Sequence, residues 1–136
     1  LVNILKELKA DTGLCPAFNL ESWARQGVLL LNSSLTVERG RAGSHMRIWS
    51  NFTDAVIRYM SANRSGLIFC LWGNFAKSKA YFIDIDSHTI LTATHPSPLS
   101  ANRGGWFGTR HFSKINMILG DLEEQPIVWG DVIDSV

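Results

Sequence analysis

The sequence predicts an α/β fold in which helices cover both faces of a parallel sheet. Two observations carry that prediction. Apolar runs too short for a helix, at 28–31 and 67–72, are closed by Asn32 and Gly73 and read as strands buried on both faces. Segments of helical period lie around and between them, so strands alternate with helices, and the connections should be right-handed crossovers.

The elements follow in order. Leu1, Ile4, Leu5 and Leu8 fall at i, i+3, i+4, i+7, one face of a helix. A loop with Gly13 and Pro16 follows, then a short helix at 20–25 that ends before Gly27. The first strand is 28–31. After a polar stretch at 33–49, a helix is predicted over 51–62, with Asn51 and Asp54 at capping-box spacing and Phe52, Val56, Tyr59 and Met60 as its apolar stripe. Residues 63–66 stop it before the second strand at 67–72. A short helix at 74–80 precedes a third strand at 88–94, which Pro96 and Pro98 cannot continue. A helix at 112–119 is closed by Gly120.

The chain has 136 residues, 46% hydrophobic and 18% charged, which fits one domain with a core and is too apolar for disorder. The longest apolar run is the six residues at 67–72, far short of a membrane span. Net charge is +1, but it is unevenly spread. Residues 22–120 carry eleven Lys and Arg against four Asp and Glu, whereas residues 121–136 carry five acids and no base. A basic body with an acidic tail hints at a polyanion partner. Cys15 and Cys70 form no CxxC and no disulfide framework, which favours a reducing compartment, and no signal peptide is visible.

In parallel α/β sheets ligands bind at the carboxyl ends of the strands, so the residues that follow each strand matter most. Asn32 offers a donor and an acceptor side by side, which complements a nucleobase edge with a carbonyl next to an N–H. The alternative is an Asn that caps a loop. Residues 95–100 read His-Pro-Ser-Pro-Leu-Ser. Two prolines one residue apart fix two φ angles and stiffen the loop. Leu99 is then an apolar residue on a rigid turn, the geometry of a wedge between base steps. Ser97 and Ser100 are placed to contact phosphates, and His95 to reach a ligand below the loop. The alternative is a Pro-rich turn with a buried Leu. Arg103, Trp106 and Arg110 interleave basic and aromatic residues nearby, as nucleic-acid surfaces do, or else form a solvated loop with a core aromatic. No GxSxG occurs, and His45, His88, His95 and His111 lack metal-ligand spacing.

Together these stretches resemble the classical uracil-excising family of uracil-DNA glycosylases. The matching segments are GVLLLN at 27–32, LTV at 35–37, SH at 44–45, FTDAVI at 52–57, LWG at 71–73, HPSPLS at 95–100, and FG with HFSK within 107–114. They run through essentially the whole chain in the family's order. The resemblance implies a three-layer α/β/α fold with a central parallel sheet of four strands, three of them visible here. It implies an enzyme that flips deoxyuridine out of DNA and hydrolyses the N-glycosidic bond, with no metal or organic cofactor. Asn32 matches the asparagine that reads uracil, and His95 the histidine that bonds uracil O2 and stabilises the departing anion. Leu99 matches the leucine that fills the gap left by the flipped nucleotide. Ser97, Pro98 and Ser100 match the loop that pinches the DNA backbone. Gly73 and Asn74 match a Gly-Ser loop on phosphate, with Asn replacing Ser. Asn102 stands where many members carry an aromatic residue, and Arg103 matches the arginine after it.

The partner implied is uracil-containing DNA, single- or double-stranded, bound by a monomer. A proteinaceous inhibitor or a replication protein is a further partner the family allows, and a membrane is not. The expected place is the nucleus, or the cytoplasm of a bacterium. The family's GQDPYH loop, with its water-activating aspartate, does not occur in this sequence, and Asp54, Asp84 and Asp86 do not share its motif. Residues 1–136 are therefore expected to be a single domain that forms the C-terminal portion of a larger catalytic core, roughly its last three-fifths, and to release no uracil alone. The alternative function is a non-catalytic DNA-binding or replication scaffold subunit on the same fold.

Overall fold

The computed structural model describes residues 1–15, 20–31, 39 and 46–132. The element order is α1 (Val2–Thr12), β1 (Leu14–Cys15), α2 (Glu21–Arg25), α3 (Met46–Asn63), β2 (Ile68–Trp72), α4 (Asn74–Lys77), a 3-10 turn (Ser78–Phe82), β3 (Thr89–Ala93), α5 (Pro98–Ala101), α6 (His111–Asp121) and β4 (Asp131–Val132). β2 and β3 are parallel, in register from Ile68 opposite Thr89 to Trp72 opposite Ala93. β1 and β4 form a separate antiparallel pair.

Alternation along β2 and β3 sends successive side chains to opposite faces. On one face Trp72 and Ala93 pack with Trp106 and with Ile4 of α1. On the other, the Phe69 ring meets His88 edge-on at 5.5 Å, and His88 Nε2 lies 2.9 Å from the Ser61 carbonyl of α3. Helices thus cover both faces, and the chain is α/β with a central parallel sheet. A second core cluster joins Leu8, Trp23, Phe112 and Trp129. Its indoles are buried with their donors satisfied: Trp23 Nε1 donates to the Trp129 carbonyl at 2.8 Å, and Trp129 Nε1 to the Phe112 carbonyl at 3.1 Å. No helix among the described residues is long and apolar enough to cross a membrane.

Four expectations need correction. Residues 28–31 are not a buried strand: they form no ladder among the described residues, and Leu29, Leu30 and Leu31 are exposed. An apolar run specifies a strand only where a neighbour pairs with it. The third visible strand of the parallel sheet is therefore not formed among the described residues. Secondly, α1 buries Asn3, Glu7 and Leu8, while Leu1 is exposed, so its buried face is rotated towards polar residues. Thirdly, α3 starts five residues earlier than predicted, which leaves Asn51 inside the helix. Its buried side chains include Thr53 and Ser61, while Phe52 and Tyr59 are exposed. That face is polar because it holds the backbone of the segment packed on it: Ser61 Oγ accepts from the Asp84 N–H at 2.9 Å, and Asp54 pairs with buried Lys79 at 2.6 Å. Finally, α6 passes Gly120 by one residue, with Leu122 at its C-cap.

Candidate active site

The loops that follow β2 and β3 meet at the carboxyl edge of the parallel pair. Gly73 closes β2 with φ +95°, a conformation L side chains rarely adopt. A Cβ on it would stand 3.2 Å from His95 Cβ and 3.4 Å from His95 Cδ2. Glycine is therefore what lets the imidazole lie directly against the end of β2. The Gly73 N–H donates to the Ala93 carbonyl at 2.9 Å, which extends the ladder by one bond and fixes the approach. Asn74 follows at the exposed start of α4.

His95 is exposed, and its Nδ1 accepts from the Ser97 N–H at 3.0 Å. A backbone N–H can only donate, so Nδ1 carries the lone pair and the neutral ring carries its proton on Nε2. The site thus holds an oriented N–H donor at the strand end. Pro96 is buried, and Pro98 opens α5 at its first position, where a missing N–H leaves no bond unmade. Ser97 is the N-cap of α5 but makes no side-chain cap, and Leu99 in its first turn is 70% exposed. Ser100 is half-buried, and its carbonyl accepts from the N–H of exposed Arg103 at 3.1 Å. Gly73, Asn74, His95, Ser97, Pro98, Leu99, Ser100 and Arg103 therefore occupy one edge. Asn32 lies outside the described residues.

Thr94, just before His95, is docked on the glycine pair. Its N–H donates to the Gly105 carbonyl at 3.1 Å and its Oγ1 to the Gly104 carbonyl at 3.0 Å. A Cβ on Gly105 would stand 2.6 Å from Thr94 Cγ2, so a side chain there would push the loop away. Trp106 is fully buried and belongs to the core, not to a nucleic-acid surface. Arg110 is likewise engaged: its Nε lies 3.3 Å from Asp11.

Sequence reasoning missed the polar stripe of α1. Asn3, Glu7 and Asp11 recur every four residues and all reach the segment 96–113. The Asn3 amide donates to the Pro96 carbonyl at 2.9 Å. Glu7 accepts from the N–H groups of Gly108 and Arg110, both at 2.8 Å. Asp11 accepts from the Ser113 N–H at 2.8 Å and its hydroxyl at 2.6 Å, capping α6 from another helix. The i, i+4, i+8 spacing was the available signal, but it also describes a solvated face.

Other titratable groups are structural. The Asp84 carboxylate caps its own turn, accepting from Asp86 N–H at 3.0 Å and Ser87 Oγ at 3.1 Å. Burial pushes the Cys70 thiol up to about 12, so it stays protonated. An open cleft of about 560 Å³ beside Arg58, Arg64 and Tyr81 lies at the amino end of the strands, away from His95.

His111 is buried behind the site and accepts from Trp72 Nε1 at 3.0 Å through Nδ1. Burial lowers its pKa, as does Lys114, against a raising hydrogen bond to the Thr92 backbone and the charges of Glu7 and Asp11. The unfolded chain, with its ordinary value of about 6.5, then binds the proton more readily. Its contribution to stability is present above about pH 6.5 and is lost as pH falls towards the lowered folded value. Urea midpoints are expected to fall between pH 7.5 and 5.5, with a shallower fall in His111→Gln; equal slopes would remove this assignment.

The fold and the site define an α/β protein that carries an imidazole donor and an exposed leucine on the loop at the carboxyl edge of its parallel strands. The sequence model of the Uracil DNA glycosylase superfamily matches residues 1–120. The chain belongs to that superfamily. It is 59% identical over 132 residues to a uracil-DNA glycosylase of Sinorhizobium medicae, covering 95% of this chain and 54% of the relative. A uracil-DNA glycosylase of Christiangramia forsetii is 52% identical over 132 residues, covering 95% of this chain and 60% of the relative. The crystal structure of mimivirus uracil-DNA glycosylase superposes with a TM-score of 0.86 at 30% identity, over 96% of this chain and 54% of that one. A mimivirus UNG variant in complex with UGI superposes with a TM-score of 0.87 at 31% identity, over 96% of this chain and 55% of that one. The chain spans little more than half the length of these relatives.

Proposed function

We propose that this chain serves a DNA repair glycosylase that extrudes deoxyuridine and hydrolyses its N-glycosidic bond, leaving an abasic site. The observation that carries the reading is the His95 imidazole, packed on Gly73 and turned by Ser97 so that its Nε2–H is free to donate. Bond cleavage gives the sugar oxocarbenium character and leaves negative charge on uracil O2. A preoriented neutral donor at that oxygen stabilises the charge without reorganising during the reaction. Asn32 reads the uracil edge. Leu99, held outward on α5, fills the stack vacated by the flipped nucleotide. Gly73, Asn74, Ser97, Pro98, Ser100 and Arg103 grip the DNA backbone on either side of it.

The carboxylate that orients the attacking water is not among these residues. Asp54 and Asp84 are committed to Lys79 and to a turn, respectively. Residues 1–136 accordingly act as the C-terminal portion of the catalytic core, with the water-activating loop on the preceding part. The enzyme works as a monomer on single- or double-stranded DNA, in the nucleus or in a bacterial cytoplasm. The solved complex of a mimivirus relative with UGI supports a protein ligand as a further partner.

The test is release of uracil from a uracil-containing oligonucleotide by the full-length polypeptide that carries these residues. Thymine- and cytosine-containing oligonucleotides are the controls. Uracil release alone is expected; DNA binding without release would favour the scaffold reading. In the same assay Leu99→Ala should slow release from duplex DNA on the order of tenfold more than from single strands, because only a duplex has a stack to refill. Equal slowing on both substrates would remove the wedge role.

A further inference from the structure

The loop from Thr94 to Ser100 has no regular ladder of its own, yet it carries both His95 and Leu99. Its ends are held by Trp106, whose buried indole packs with Ala93 at the end of β3 and with Ala101 at the end of α5. Trp106 Nε1 donates to the backbone carbonyl of Asn3 at 3.0 Å. The middle of the loop is held by the same residue: the Asn3 side-chain Nδ2 donates to the Pro96 carbonyl at 2.9 Å. Local partners for that carbonyl are scarce. Pro98, two residues on, has no N–H to offer it, and the same peptide unit sends its Ser97 N–H to His95 Nδ1, so whatever orients the Pro96 carbonyl also orients that donor. Asn3 is 7% exposed, so this bond is shielded from competing water. One residue of α1 thus supports the loop through its backbone and its side chain, 93 positions away in sequence.

We propose that Asn3 is a positioning residue for the 95–100 loop, its amide setting the placement of the His95 imidazole relative to Leu99. The proposal rests on the glycosylase reading for its effect on rate, but its structural claim does not. Pro96 sits between the two residues that matter, and a stiff segment moves as a unit when the carbonyl that Asn3 holds is released. Asn3→Asp keeps the shape of the side chain and replaces the donor with an acceptor, so it repels the Pro96 carbonyl. Asn3→Leu removes the donor without adding charge.

The experiment uses the full-length protein and both variants, well below their unfolding temperatures. It reads kcat and KM for uracil release from single-stranded DNA, together with the imidazole ¹⁵N signals of His95. Loss of one buried hydrogen bond from the positioned state should lower kcat about tenfold, with KM changed less than about twofold. The His95 Nδ1 and Nε2 signals should move towards each other as the Ser97 bond is loosened. A variant that is merely less stable would leave those signals in place while it is folded. Unchanged His95 signals in a folded variant overturn the proposal, as does an unchanged kcat in an active protein. If the wild type releases no uracil, the glycosylase reading fails, and the ¹⁵N signals alone decide whether Asn3 positions the loop. Should Asn3→Leu fail to fold, the near-isosteric Asn3→Asp carries the same decision.

Discussion

His95→Leu in the full-length protein should lower kcat for uracil release by about 10²–10³-fold, the usual loss when one preorganised donor to a developing anion is removed. DNA affinity should change by less than about threefold. The split follows from where the charge appears. Uracil O2 is an ordinary carbonyl oxygen in the bound substrate and becomes strongly negative only as the glycosidic bond breaks, so the donor acts mainly in the transition state. In the proposed reading the phosphates are gripped by other residues of the edge, which the change leaves in place. His95 is exposed and, among the described residues, its ring bonds the Ser97 N–H, which water can replace, so the fold should tolerate leucine. Single-turnover release and equilibrium binding to uracil-containing DNA check the two halves separately. Equal losses in both would mean that His95 holds DNA rather than stabilising the leaving base.

Glu7→Ala should destabilise the full-length protein by about 2–4 kcal/mol, a large loss for one polar side chain. The carboxylate is 2% exposed and accepts from two backbone N–H groups at 2.8 Å. Alanine leaves two part-buried backbone donors without their carboxylate partner and opens a cavity beside Leu8. One of the donors belongs to Arg110, which is held at φ +55°, in the left-handed region, as the N-cap of α6. Glu7 therefore also stabilises a backbone conformation that arginine does not favour. Glu7→Gln keeps one acceptor oxygen and should lose about half as much. Urea unfolding measures the loss, and amide exchange at Gly108 and Arg110 locates it. A loss below about 1 kcal/mol for Glu7→Ala would show that water replaces the carboxylate.

Much of this was legible in the sequence because short-range rules suffice for it. The parallel strand before Gly73 follows from a brief apolar run closed by glycine, and the one before His95 from partial alternation over 88–94 that Pro96 and Pro98 cannot continue. The 95–100 loop was legible because two prolines constrain their own backbone wherever they stand. The faces of α1 and α3 were not legible. Hydrophobic period marks the side that avoids water, but Asn3, Glu7 and Ser61 are buried because they hydrogen-bond segments distant in the chain, and Thr53 because its hydroxyl bonds back to the Trp49 and Ser50 carbonyls of its own helix. Residues 28–31 failed for a related reason, since an apolar run becomes a strand only when another strand pairs with it.

The sequence by itself determined the α/β class, the family, and the candidate residues at the carboxyl edge, because each of these rests on local stereochemistry or on contiguous motifs. Only the tertiary structure decided which nitrogen of His95 carries the proton, why Gly73 must lack a side chain, and that Trp106 is core rather than surface. It alone showed that a polar stripe on α1 bonds both the loop where His95 and Leu99 stand, through Asn3, and the start of α6, through Glu7 and Asp11. Those outcomes depend on hydrogen bonds and contacts between residues many positions apart, as Asn3 and Pro96 are, and no local pattern encodes the approach of two distant segments.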